Sequence, residues 1–345
     1  MGLKFTDHGS WAAWQASRRR LHVLKDKLTG KGGSGSPVAF EFLLRGSEPK
    51  LLVACDSNSP TNHHSLLTPL GDALDAVIVK PTTVNLELPA DTWRTLPSAE
   101  ALPSSVEAVA SIGDHLPTGA WAHQLARKRG WQQWVVQHGL LTPFAPPPPP
   151  GATVLTWSPA DSEFLRAGRP DLTFVDVGSP MLAAAAAHPA PHISRFERPV
   201  FLGQLHGAEL SRWSMTRSVT TFWRMTKATY RPHPREEDKL SRAQHALWRR
   251  LGMEIDADGT LAELDRPVVA AFSTGVLEAA ARGVPSWVYH VNPPAWLEEF
   301  WARYGMARWG DAPTHWENAY PAAPATLIRS QWTEASNTGT TTKDI

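Results

Sequence analysis

Several side chains in the second half of the sequence have the types and spacing that a phosphorylated ligand requires. His233 sits between prolines in Tyr230-Arg231-Pro232-His233-Pro234-Arg235, and further on Ser273-Thr274-Gly275 leads into a segment carrying Glu278. An imidazole beside Arg231 and Arg235 can meet negative charge. The hydroxyls of Ser273 and Thr274 can donate to phosphate oxygens. Four residues after Thr274, the Glu278 carboxylate can accept from a ribose diol. Phosphate donors paired with a sugar acceptor are what a nucleotide needs. In the first half, His138-Gly139 and Asp114-His115 are the residues best suited to moving a proton, with Asp56, His63 and His64 as lesser candidates.

These residues need elements that hold them. Val268 to Phe272 is an apolar run, followed by a small-residue turn at Ser273-Thr274-Gly275 and a helix ending at Gly283-Val284-Pro285. A strand feeding a helix this way leaves helix-start N–H groups for an anion, aided by the helix dipole. Short apolar runs recur before it: 38–44, 51–55, 76–79, 106–112, 132–137, 154–157, 199–205 and 227–231. Helical patterns lie between many of them, at 120–130, 211–225 and 239–251, and another follows at 296–304. That rhythm predicts parallel sheets covered on both faces, with ligands held by the loops after the strands. His138, Asp114, Asp56, His233 and Ser273 all fall on such loops.

The expected organisation is a basic amphipathic helix and Gly/Ser linker over 1–36, a Rossmann-like acceptor-side domain over 37–190, a Rossmann-like nucleotide-donor domain over 191–322, and a disordered tail over 323–345. Ser10 reads as the N-cap of a helix running to Leu28, with Trp11, Trp14, Leu21, Leu24 and Leu28 on one stripe. Its basic residues suit either an anionic membrane surface or a solvated face of a docked helix; basic clusters are usually the latter. Ala183–Ala187 and the prolines after it read as a hinge.

Composition narrows the classes. With 345 residues, a formal charge of +1 and 42% hydrophobic residues, the chain is an ordinary folded one with no overall attraction to nucleic acid. One cysteine, Cys55, excludes an internal disulfide and points to a reducing, cytoplasmic setting, at most against the inner face of a membrane. The 16 tryptophans suit sugar rings, but core packing is the commoner use of such rings. Asp256-Ala257-Asp258-Gly259 lacks the remaining ligands of a calcium loop and reads as a polar turn, so no metal site is expected. No phosphate loop of the ATPase type and no dinucleotide fingerprint is present.

Taken in order, Gln137-His138-Gly139, Tyr230-Arg231-Pro232-His233-Pro234 and Phe272-Ser273-Thr274-Gly275-Val276-Leu277-Glu278 resemble the motif series of the GT-B-fold glycosyltransferases. The likeness points to the branch holding bacterial sialyltransferases, capsule-polysaccharide transferases and CDP-glycerol glycerophosphotransferases, over roughly residues 130–290. The wider superfamily includes UDP-GlcNAc 2-epimerases. The resemblance implies two Rossmann-like domains facing a cleft. It implies that His233, as an imidazolium, steadies the leaving phosphate, that Ser273, Thr274 and Gly275 bind phosphate with help from Arg231, and that Glu278 holds the ribose. His138 resembles a His-Gly histidine acting as base. The acidic base motif of the sialyltransferases is missing, and Asp114 is its nearest stand-in.

The implied activity is metal-independent, inverting transfer of a sugar or glycerol-phosphate-like unit. The donor would be linked to CMP, CDP or UDP, and the acceptor would be an envelope glycan or lipid-linked molecule. No cofactor and no nucleic-acid partner is implied. The alternatives are a UDP-sugar 2-epimerase and a non-catalytic polysaccharide- or RNA-binding protein that kept the fold.

Overall fold

Runs such as Leu51-Leu52-Val53-Ala54 place apolar side chains on both faces of a strand, and only a sheet covered on both sides can bury them. The computed structural model describes residues 2–18, 38–72, 74–89, 92–191, 193–256, 261–316 and 323–338. They fall into two compact α/β units. One comprises Gly2–Gly139 and Pro143–Met181, together with the chain after Tyr320; the other comprises Leu140–Thr142 and Leu182–Ala319.

The N-terminal unit begins with α1 (His8–Arg18), β1 (Phe40–Arg45), β2 (Leu51–Ala54), β3 (Ala76–Pro81), β4 (Arg94–Leu96) and β5 (Ala108–Ser111). It continues through α2 (Pro117–Arg129), β6 (Gln132–Val136), β7 (Thr153–Thr156), α3 (Pro159–Arg166), β8 (Thr173–Asp176) and the start of α4 (Pro180–Ala186). The strands form one eight-stranded sheet in the order β4-β1-β3-β2-β5-β6-β7-β8. From β3 to β8 all neighbours are parallel, whereas β1 pairs antiparallel with both β3 and β4. Alternate residues of β2 feed the two cores. Leu51 and Val53 join Leu66, Ile78 and Val136 on one face; Leu52 and Ala54 join Val77, Val109 and Ala122 on the other. The order of connections reverses between β2 and β5, so the loops after these two strands line the crevice where such sheets take ligands. Asp56 lies on one of these loops and Asp114 on the other.

The C-terminal unit carries β9 (Val200–Leu202), α5 (Arg212–Thr226), β10 (Thr229–Arg231), α6 (Lys239–Arg250), β11 (Val268–Ala270), α7 (Gly275–Ala281), β12 (Ser286–Val288) and α8 (Ala295–Arg303). Its sheet is wholly parallel in the order β10-β9-β11-β12, and Ile255 extends the β10 edge through a bridge to Tyr230. Here the reversal lies between β9 and β11. The helix α7 ends as its sequence predicts: Gly283 adopts φ +79°, while the amides of Val284 and Gly283 return to the carbonyls of Ala279 and Ala280.

Four expectations change. The first helix starts at His8, and Asp7 rather than Ser10 caps it by accepting from the Ser10 amide; residues 19–37, with the rest of that basic segment and the Gly/Ser linker, lie outside the described residues. Residues 180–186, within which the division between the two units falls, are helical, because alanine is the strongest helix former. β4 had no sequence signal: only Leu96 of its three residues is buried. The expected tail is partly α9 (Pro324–Thr338), which seats Ile328 and Trp332 in the core of the N-terminal unit, with Arg329 Nε donating to the Pro69 carbonyl at 2.7 Å. Its apolar residues are sparse, and a polar segment masked the two that matter. The Asp256–Gly259 turn lies outside the described residues apart from Asp256.

Trp332 is 2% exposed. Trp332→Ala is expected to lower the stability measured by urea unfolding by about 3 kcal/mol or more, whereas a loosely attached tail would show no change.

Candidate functional site

The C-terminal unit gathers its polar residues at the carboxyl ends of β9, β10 and β11. After β9 the chain runs Gly203-Gln204-Leu205-His206. A Cβ on Gly203 would sit 2.4 Å from the Tyr230 hydroxyl and 2.7 Å from Glu236 Oε1, so only glycine lets these groups approach. Glu236, buried, accepts from the Leu205 amide at 2.9 Å, the Tyr230 hydroxyl at 2.9 Å and His245 Nε2 at 3.0 Å. Burial works against its charge. The donations from His245, Leu205 and Tyr230 outweigh that and hold its carboxyl below the usual range. Gln204 Oε1 accepts from the Phe272 amide at 3.0 Å. The loops after the three strands are thereby tied together.

One consequence is a pair of stacked imidazoles. His206 and His233 lie with centroids 4.0 Å apart and planes 27° apart. His233 Nδ1 accepts from the Arg235 amide at 3.1 Å, which leaves Nε2 as the proton-bearing nitrogen of a neutral ring. Burial lowers the pKa of His233, with Glu236 opposing and Arg235 adding to the shift. Burial, then His233, pushes His206 down to about 4. The expected imidazolium at 233 is therefore a neutral N–H donor in the free protein at pH 7.

The turn after β11 also differs from expectation. Ser273 Oγ accepts from the Gly275 amide at 3.1 Å, the Val276 amide returns to the Ser273 carbonyl, and those of Leu277 and Glu278 return to the Thr274 carbonyl. The first-turn amides are thus satisfied internally, and the helix has only seven residues. Among the described residues, the amides of Ser273 and Thr274 and the Thr274 hydroxyl have no partner, so the donors left to a ligand belong to the turn itself. Gly275 is fixed by crowding: a Cβ there would lie 2.6 Å from Leu202 Cδ1. Glu278, mostly buried, has no side-chain partner among the described residues, and burial pushes its carboxyl up to about 7. A carboxyl in that condition gains from any hydroxyl that donates to it. Arg231 ends β10, and its carbonyl accepts from the Gly203 amide.

The N-terminal unit holds a second polar cluster. Asp114, His115 and His138 follow β5 and β6, and α1 adds His8, whose Nδ1 is 3.9 Å from Asp114 Oδ1. Burial, then His8, pushes His115 down to about 4; burial, then His115, does the same to His138. Both rings are neutral near pH 7. Trp11 meets His115 edge-on at 5.8 Å and donates Nε1–H to the Phe144 carbonyl at 3.0 Å. Beneath the loop, buried His123 lies 2.7 Å from Ser111 Oγ and 3.0 Å from Gln133 Oε1, and Ser111 Oγ accepts from the Gly113 amide. The Gln133 oxygen requires a proton on His123 Nδ1, so Ser111 donates to Nε2. This network fixes Gly113, at φ +128°, and hence the direction of Asp114.

Of the lesser candidates, Asp56 and His63 have structural roles. Asp56 caps α2 by accepting from the amides of Thr118 and Gly119 at 2.9 and 3.2 Å. His63 bonds Thr68 Oγ1 at 3.4 Å within the helical turn it begins. Burial raises the Cys55 thiol to about 11, which removes it as a nucleophile. Among the described residues no group of three or more His, Cys, Asp or Glu is placed to hold a metal ion. Sequence reasoning missed His8, His206, Gln204 and Glu236. Glu236 sits in a charged run that reads as solvent-facing, and His206 belongs to no motif the sequence singles out.

Comparison with solved structures bears on the fold. The chain is similar to the UDP-GlcNAc 2-epimerase of Methanocaldococcus jannaschii, solved with UDP-GlcNAc and UDP, with a TM-score of 0.54 and 12% identity over 82% of this chain and 99% of that one. A glycotransferase of kitacinnamycin overlaps 68% of each chain at 13% identity and a TM-score of 0.32, too loosely to bear on the reading. The fold is α/β, with the paired Rossmann-like units of GT-B-type enzymes. No family profile matches the chain, and no curated protein does.

The raised carboxyl of Glu278 has a sign that can be measured. Its contribution favours the folded chain fully below its ordinary value of 4.5 and is lost as pH climbs through about 7. Glu278→Gln cannot ionise. The stability it gains over the parent chain in urea unfolding is therefore expected to be larger at pH 8 than at pH 4.5, by on the order of 2–3 kcal/mol. A difference independent of pH would contradict the assigned burial.

Proposed function

We propose that the chain is a nucleotide-sugar enzyme whose C-terminal unit binds the nucleotide at the carboxyl ends of β9, β10 and β11. The observation that carries this is Glu278. It is a partly buried carboxyl without a side-chain partner among the described residues, four residues beyond a turn with free amide and hydroxyl donors, in the unit where the loops bring His233 forward. Ribose hydroxyls supply what Glu278 lacks, and phosphate oxygens accept from Ser273 N–H, Thr274 N–H, Thr274 Oγ and His233 Nε2–H. Arg231 and Arg235 add positive charge near that end.

The reaction that fits this reading is glycosyl transfer with inversion, in the branch of sialyl-, capsule-polysaccharide and CDP-glycerol-type transferases. An acceptor oxygen bonds to the anomeric carbon while the carbon–oxygen bond to the nucleotide breaks and its electron pair stays on phosphate. Donors aimed at that oxygen strengthen as its charge grows, without a metal or other cofactor. An incoming phosphate also draws a proton toward His233, whose neutral ring is poised to gain charge only when ligand arrives. The acceptor hydroxyl needs a base. His138, neutral and shielded, and the carboxylate of Asp114 are groups of that kind. We assign the donor to the CMP, CDP or UDP class and the acceptor to an envelope glycan or lipid-linked molecule.

A second reading has its own support, since the M. jannaschii structure with the same fold is an epimerase bound to UDP-GlcNAc and UDP. Incubation with UDP-GlcNAc alone separates the two. Inversion at C2 without an acceptor identifies an epimerase, whereas a donor consumed only when an acceptor is added identifies a transferase.

A thermal-shift panel of cytidine and uridine mono- and diphosphates is expected to raise the melting temperature. His233→Ala and Glu278→Gln should each weaken binding by about 10- to 100-fold, the worth of a hydrogen bond to a charged group. No shift with any nucleotide, or shifts in both variants equal to that of the parent chain, would overturn the proposal.

A further inference from the structure

The seven large apolar side chains most exposed among the described residues are not scattered. Val38 and Phe196 stand apart, and the other five, Trp213, Met225, Leu240, Leu247 and Leu251, lie on α5 and α6 or at the last turn of α6. The two helices pack side by side. Arg212 bonds Ser241 Oγ at 2.9 Å and Asp238 Oδ2 at 3.1 Å near one end, and Trp248 Nε1 donates to Thr220 Oγ1 at 3.1 Å further along. Each buries a separate stripe against its unit, Met215, Ser218, Val219 and Phe222 on α5, and Ser241, His245 and Trp248 on α6. Leu240, Leu247 and Leu251 recur at i, i+7 and i+11, so they share one stripe of α6. Trp213, the apolar residue on α5 most open to solvent, is 70% exposed.

The charge on these helices is one-sided. α5 carries Arg212, Arg217 and Arg224, α6 carries Lys239, Arg242, Arg249 and Arg250, and neither contains an acidic residue, although Asp238 at the N-cap of α6 pairs with Arg212. The chain as a whole carries a formal charge of only +1. We propose that the α5–α6 face of the C-terminal unit docks on an anionic lipid bilayer, its leucines and Trp213 entering the headgroup boundary and its arginines meeting lipid phosphates. Basic residues flanking a bulky apolar stripe are the composition of a surface that lies in a membrane interface. A second copy of the same face would oppose its positive charges to their like. A nucleic acid would use the arginines but gain nothing from three leucines in a row along a helix.

Flotation of the full chain with vesicles tests this. The expected result is binding to phosphatidylcholine vesicles containing about 30 mol% phosphatidylglycerol, weak binding to phosphatidylcholine alone, and release by high salt. Leu247→Gln with Leu251→Gln, and separately Lys239→Glu with Arg250→Glu, should each reduce binding by about tenfold or more at unchanged melting temperature, since all four side chains are solvent-exposed. Trp213→Ser gives a third variant should either pair lower the melting temperature. Binding that survives in all the variants would place any membrane contact elsewhere, for instance in the basic N-terminal segment, and overturn the proposal. So would failure of the parent chain to float, or equal binding to neutral vesicles. Retention of a short RNA by the leucine variants, with no flotation of the parent chain, would identify the partner as nucleic acid instead.

Discussion

The C-terminal site depends on a charge that cannot leave. Glu236 is buried among the Leu205 amide, the Tyr230 hydroxyl and His245, and it is the donors around it, not solvent, that keep it ionised. Removing such a carboxylate would strand three polar groups in a dry interior, a cost well above that of an exposed ion pair. Because the donors come from the loop after β9, from β10 and from α6, the carboxylate acts as a common anchor for elements that are far apart in sequence. Gly203 exists to let it in. With the β9 loop anchored, His206 is brought onto the ring of His233, and Gln204 reaches the amide of Phe272 just before the Ser273-Thr274-Gly275 turn.

The N-terminal unit uses the same logic with neutral groups. The Gln133–His123–Ser111–Gly113 network directs the loop bearing Asp114 and His115, and Gly119 is required because a Cβ there would come within 2.0 Å of the Gly113 carbonyl. Ser111 and His123 are both buried, so a pair that resembles a nucleophile and its base serves instead to aim a turn. α1 packs over this region through Trp11, and Trp14 stacks on Phe144 at 5.1 Å. The described part of the basic N-terminal helix is therefore docked through its aromatic face, and it brings His8 to Asp114. His8, Asp114, His115 and His138 thus form one cluster.

Most of the architecture was legible because burial on both faces of a parallel sheet writes itself as apolar runs. Leu51–Ala54, Ala76–Val79 and Val268–Ala270 all became central strands, and the last of them leads into the turn and helix that carry Ser273 and Glu278. What the sequence hid has physical reasons. Helix α9 contributes little more than Ile328 and Trp332 to a core made by residues hundreds of positions earlier, so no local period marks it. Glu236 looks like any surface acid until the fold encloses it. The neutrality of His233, the satisfied amides of the α7 turn and the raised carboxyl of Glu278 are properties of an environment rather than of a motif. Motif spacing indicates which residues meet, and packing decides their charge.

If nucleotide phosphate is gripped where the loops after β9, β10 and β11 converge, the stacked imidazoles must register it. The direct measurement is an NMR titration of the ring nitrogens of the 14 histidines with UDP and CMP near pH 7. Addition of nucleotide is expected to shift His233 toward its protonated form and to perturb His206 with it, while buried His123, engaged on both ring nitrogens, stays unmoved. A protein saturated with nucleotide in which His233 and His206 keep their free-state resonances would contradict the account.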